Sequence, residues 1–222
     1  LIEASSYEAI VGSYFIRSLH SSPMISFLSL PKNNMLRILF LITLMFQTGI
    51  LLSQDKMPSL DQSPLDLSYC PANYPMMKTQ GKNSETLIAR VFYSRPSVLG
   101  RKIFGELIAF DKIWRVGANE STEIEFFKDV TVGSAKLKKG RYTLYAIPRE
   151  NKWTIIFNKD LYTWGAFVYD SKKDIARTDV SPKSLQQPVE ALTIYFERSH
   201  IGYQMNILWE NTGVSVPIST AK

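Results

Sequence analysis

Three arginines, an amide and a carboxylate crowd into residues 93–122, in two stretches that read YSRPSVLGRKIFG and WRVGANEST. They are Arg95, Arg101, Arg115, Asn119 and Glu120, with Trp114 beside them and Thr122 closing the second stretch. A guanidinium is a planar fork that grips a carboxylate or phosphate through two parallel bonds. Asn119 carries both a donor and an acceptor, as a hydroxyl-rich ligand requires. Trp114 offers a flat face to a sugar or acyl group. Pro96, Gly100, Gly105 and Gly117 punctuate the run, so these side chains are expected on loops held by a rigid scaffold, the usual setting for binding. The reading is a binding module for a small anionic or polyhydroxylated ligand, an unknown small molecule or glycan. The competing reading is structural: Arg115 pairs with Glu120 or Glu123 and staples a long connection to a sheet.

Aromatic residues form a second set. Trp153, Trp164 and Trp209, with Tyr162 and Tyr169, are candidates for a carbohydrate platform. Trp153 and Trp209 lie in alternating segments and read as core. Trp164, in LYTWGA after NKD, reads as a loop residue.

Other chemistry is poorly provided for. The chain has two His and one Cys, too few for a His/Cys zinc site, and it lacks both CxxC and a phosphate-cradling glycine loop. His200 precedes Ile201-Gly202 and reads as a solvated turn. No catalytic residue, metal ligand or cofactor is therefore assigned. The alternative function is a hydrolase working with carboxylates alone, Glu120 with Glu123 or Glu125, since paired carboxyls about 5–9.5 Å apart suffice for glycoside cleavage. A third is a protein-interaction module docking through a sheet edge or the N-terminal arm.

The elements that must position these groups follow from the rest of the chain. Its 222 residues are 45% hydrophobic and 21% charged, ordinary for a packed core. Met35-Leu36-Arg37 followed by the apolar residues 38–52 and the polar Ser53-Gln54-Asp55 has the layout of a secretory signal. The apolar run is too short for a ~30 Å hydrocarbon core. The expectation is a signal peptide over 35–54, no stable membrane span after its removal, and a periplasmic or secreted location. Residues 1–34 then read as an upstream non-native or disordered segment. A net charge of +6 with scattered basic residues gives no nucleic-acid surface.

Residues 55–83 carry Pro58, Pro64, Pro71 and Pro75, which predicts an extended arm. Cys70 within it reads as a small packed residue. From 84 to 222 short β-prone runs alternate with turn signals: 86–94, 121–127, 141–147, 153–157, 191–197, 204–210 and 214–218, with 130–132 and 175–180 as shorter candidates. In residues 121–127, Thr122, Ile124 and Phe126 face one way and Ser121, Glu123 and Glu125 the other. One helical turn is expected over 102–108. The fold is read as all-β, a two-sheet antiparallel β-sandwich, jelly-roll or Ig-like, with an extended N-terminal arm.

The segments SRPSVLGRKIFGELIAFDKIWRVGANESTEIEF, LKKGRYTLYAIP, WTIIFNKD and TWGAF closely resemble a bacterial family known as domain of unknown function 2911. The likeness runs from about Ser63 to Ile218. It implies an exported protein, and no activity, since the family has none assigned. By motif match, Arg95, Arg101, Trp114, Arg115, Gly117, Asn119, Glu120, Thr122 and Trp164 are its signature positions. Cys70 stands where the family pattern has an aromatic.

Overall fold

A computed structural model describes residues 33–51, 59–82 and 85–220. The chain divides into two units, Leu1–Pro58 and Ser59–Lys222. In the first, helix α1 (Asn34–Leu51) takes up the apolar run, and Thr43 Oγ1 donates to the carbonyls of Leu39 and Phe40. No helix among the described residues is long and apolar enough to cross a membrane. Residues 1–32, the expected cleavage region at 53–54, and residues 55–58 and 83 of the arm lie outside the described residues.

The second unit contains, in chain order, β1 (Leu65–Cys70), α2 (Tyr74–Thr79), β2 (Ala89–Ser94), β3 (Glu123–Phe126), β4 (Val130–Val132), β5 (Ala135–Leu137), β6 (Gly140–Ile147), β7 (Trp153–Asn158), β8 (Asp174–Val180), β9 (Lys183–Ser199) and β10 (Gly202–Thr220). Two antiparallel sheets result, a six-stranded β1-β2-β3-β6-β7-β8 and a four-stranded β5-β4-β10-β9, and they do not close into a barrel. Period-two alternation decides which side chains meet. Val91, Ile124, Leu144 and Ile155 from one sheet and Leu192, Ile194, Ile207 and Val216 from the other join a single core. The fold is the all-β sandwich that the strand pattern predicts.

Three local differences have physical causes. The arm is not extended throughout: β1 pairs with β2 from Leu65↔Ser94 to Cys70↔Ala89, and the short α2 follows, with Pro75 in its first turn, where a missing N–H costs nothing. The runs 204–210 and 214–218 are one strand, because β9 reaches back to Lys183 and pairs with Gly213, while bulges near Glu210 absorb the turn-like residues between. The expected helical turn at 102–108 is instead a wider loop, closed by Leu107 N–H to the Lys102 carbonyl and Ile108 N–H to that of Ile103. Gly105 at φ 93° breaks the helical path there.

Cys70 is fully buried at the end of β1. Burial pushes its thiol from 9.0 up to about 12, with Arg198 opposing the rise. The thiolate that would react is thus absent near neutral pH, and native protein is expected to resist iodoacetamide until unfolded. Between 9.0 and about 12 the unfolded thiol ionises while the folded one stays protonated, so stability falls as pH rises through that window. Alkylation time courses and alkaline melts check both expectations.

Candidate functional site

The residues 95–122 connect β2 to β3 over one end of the sandwich. Four rings pin this long connection down. Phe104 lies 4.7 Å from Trp153, 5.7 Å from Trp114 and 6.2 Å from Trp209 between centroids, and Trp114 stacks on Trp209 at 6.0 Å and 15°. The Trp114 and Ala146 backbones exchange hydrogen bonds at 2.8 and 2.9 Å, fixing the chain just before Arg115.

From there the backbone turns sharply. Val116 sits at φ 56° and Asn119 at φ 55°, a left-handed conformation that costs a β-branched residue about 1–3 kcal/mol. Thr122 holds the turn shut: its N–H donates to the Arg115 carbonyl at 3.1 Å and its hydroxyl to the Val116 carbonyl at 2.7 Å. Gly117 fits closely inside it: a Cβ there would lie 3.2 Å from Thr122 Oγ1 and 3.3 Å from the Ser94 carbonyl oxygen, a tight contact that one of these neighbours would have to relieve by a few tenths of an ångström. Thr122→Val keeps the shape and removes the hydroxyl bond. It is expected to cost about 1–2 kcal/mol, read as a lower Tm in a thermal melt.

The sequence-chosen residues separate into three groups. Trp114 and Thr122 are internal, 3% and 0% exposed, and position the loop. Arg95 and Asn119 are engaged by neighbours. Arg95 donates from Nε to the Leu192 carbonyl at 3.1 Å, from Nη1 to Asp66 at 3.0 Å and from Nη2 to Thr193 at 3.0 Å, tying β1 to β9. Asn119 Nδ2 donates to Asp61 at 2.7 Å.

Arg101 and Arg115 line one hollow of about 320 Å³, together with Gln62, Ser97, Gly117 and Trp209. Among the described residues Arg101 donates only to carbonyls, Nε to Val98 at 2.9 Å and Nη2 to Ser97 at 2.6 Å, and its charge has no counter-ion there. The Arg115 side chain has no hydrogen-bond or ion-pair partner among the described residues, and the pairing with Glu120 or Glu123 is not formed. Its Nε is buried without an acceptor, and so is Trp209 Nε1. Burial lowers the Arg115 pKa from its ordinary value, as expected of a cation half removed from water with nothing to balance it. Among the described residues no Asp or Glu lines the hollow.

Glu120 and Trp164 meet elsewhere, across an isolated antiparallel bridge. Glu120 lines a second cleft of about 430 Å³ with Phe92, Glu123, Arg141, Tyr162 and Thr163 on the outer face of the six-stranded sheet. Glu123 is engaged there, accepting from the Tyr162 N–H at 2.8 Å and from Arg141 at 3.4 Å. Glu125 pairs with Arg90 at 2.7 Å. His200 falls in the exposed β9–β10 turn.

Sequence reasoning weighed Trp209 and read it as core, and it did not select Phe92 or Arg141. Trp209 is core by exposure, 2%, and only the missing acceptor at its indole marks it. Phe92 and Arg141 become neighbours of Glu123 through strand register, which no local pattern reveals.

The model of a family described as a protein of unknown function (DUF2911) matches residues 75–218. The chain belongs to that family. Its matched segment holds both clefts except for the arm residues Gln62, Ser63 and Leu65 at their margins. The DUF2911 match begins later than the resemblance in the motifs, so β1 and the arm before it stand outside the family's matched region. No curated protein and no solved structure matches the chain.

Proposed function

We propose that this DUF2911 protein binds a small anion, a carboxylate or phosphate, in the hollow lined by Arg101, Arg115 and Trp209. One observation carries the reading. Two N–H donors, Arg115 Nε and Trp209 Nε1, are buried without acceptors around a hollow that holds two arginines and, among the described residues, no acid. A buried donor left unmade costs about 1–3 kcal/mol, and a desolvated cation without a counter-charge adds to that. A negatively charged molecule rich in acceptors supplies the missing counter-charge and accepts from the guanidinium groups that line the hollow. The left-handed Val116 beside Arg115 supports the same reading, since strain of this kind persists where the surrounding structure enforces a particular presentation.

The signal-like layout of residues 35–54 supports export of the protein, and fractionation of cells producing the full chain tests that separately. The binding test is titration of wild type with inorganic phosphate and with citrate, followed by tryptophan fluorescence and Tm. Saturable binding that disappears in Arg115→Met supports the proposal. Absence of saturable binding to either probe, or binding unchanged by the substitution, overturns it.

A further inference from the structure

The exposed loop of residues 159–170 shows a combination that the anion hollow does not use. Its backbone is held tightly. Ser121 N–H donates to the Thr163 carbonyl at 2.9 Å and Gly165 N–H to that of Asn119 at 2.9 Å. Thr163 Oγ1 bonds Ser121 Oγ at 2.9 Å and Tyr145 OH at 3.0 Å, and Tyr169 packs edge-on against Tyr145 at 5.1 Å. Yet its rings face water: Tyr162 is 81% exposed and Trp164 59%. Tyr162 even adopts φ 59°, a strained choice for an aromatic residue. A rigid loop that displays rings at a cost in strain and exposed apolar area is arranged for contact.

The register identifies what stands beside those rings. The two backbone bonds flank Glu120↔Trp164, which makes that pair non-hydrogen-bonded. In such pairs the Cα atoms are closest, about 4.5 Å, and the side chains lie on the same face. Glu120 is exposed and has no hydrogen-bond or ion-pair partner among the described residues. The chain thus presents an indole and a free carboxylate side by side, at the edge of a cleft containing Phe92, Tyr162 and Arg141.

We infer that the Glu120–Trp164 pair and the adjoining cleft form a saccharide-binding site, separate from the anion hollow. A sugar ring has an apolar C–H face and a rim of hydroxyls that both donate and accept. Trp164 and Tyr162 offer flat apolar faces with a polar edge. Glu120 accepts hydroxyl protons, and Arg141, already fixed by Glu123 and Glu125, donates to hydroxyl oxygens. The cleft volume of about 430 Å³ is within the range of ligand pockets.

The test uses full-length protein and hexasaccharides of β-linked glucose and of N-acetylglucosamine, followed by calorimetry and tryptophan fluorescence into the millimolar range. Binding of either sugar is expected, weakened at least about tenfold in Trp164→Ala and in Glu120→Gln, with Tm unchanged because both side chains are exposed. Arg115→Met should leave it intact, which separates this site from the hollow. Lack of binding to both sugars, binding that survives Trp164→Ala, or preferential binding of tetramethylammonium overturns the inference.

Discussion

Arg115→Met is expected to abolish the binding of phosphate or citrate while leaving Tm unchanged or raising it. The two effects have one cause. In the unliganded protein the guanidinium is partly desolvated, its pKa is lowered by burial, and it makes no bond among the described residues. Removing a side chain normally costs the interactions it makes. Here there are none to lose except packing by its aliphatic stem, which methionine preserves. Replacing an uncompensated buried charge by a hydrophobe of similar volume is neutral or stabilising. The ligand, by contrast, loses its bidentate charge-assisted contact, and each such bond is worth about 1.5–3 kcal/mol, a factor of roughly ten or more in Kd. A residue that served as a structural staple would behave in the opposite way, so paired melting and binding curves distinguish the roles. Arg95 is the internal control. It has three bonded nitrogens, and its loss should lower Tm without a direct effect on anion affinity.

Phe104→Ala is expected to give the largest loss of stability. The ring is 7% exposed and touches three tryptophans, and truncating a buried phenylalanine typically costs about 3–5 kcal/mol. For a domain of this size that is a fall in Tm on the order of 10 °C. Phe104 also anchors the loop that carries Arg101, and Trp209 forms part of both the ring cluster and the hollow. Anion affinity should therefore fall together with Tm, and raising phosphate should recover part of the stability only if the hollow still forms. Differential scanning calorimetry with and without phosphate reads both quantities.

The sandwich was legible because it rests on local pattern. Thr122, Ile124 and Phe126 alternate with charged or polar neighbours, and all three are buried in β3 or beside it. The same logic placed Trp153 and Trp209 inside. What local pattern cannot supply is which strand lies beside which. The crowding of Arg95, Arg101, Arg115 and Asn119 in sequence predicts one cluster, yet the connection folds so that they diverge. Arg95 reaches β9, Asn119 reaches the arm, and only Arg101 and Arg115 share a hollow. Glu120, next to Asn119 in the chain, faces another cleft altogether. The left-handed turns at Val116 and Asn119 cause this divergence, and β-branched valine gives no hint of such a conformation. The long β9–β10 hairpin was hidden for a similar reason. Asn211-Thr212-Gly213 has turn chemistry, and the structure uses it for bulges.

The position of β10 between β4 and β9 has a consequence for biosynthesis. Residues Ile218 to Thr220 pair with Val132 to Val130, a contact across nearly ninety positions of sequence. As the polypeptide leaves the ribosome, the six strands β1 to β3 and β6 to β8 emerge before β9 and β10, and the inward side of their sheet, with Val91, Ile124, Leu144 and Ile155, is not fully covered until those two strands follow. Partly made chains therefore expose a greasy surface for the time needed to translate the final strands. Holdase chaperones should engage such nascent chains and release them once residue 220 is clear of the exit tunnel.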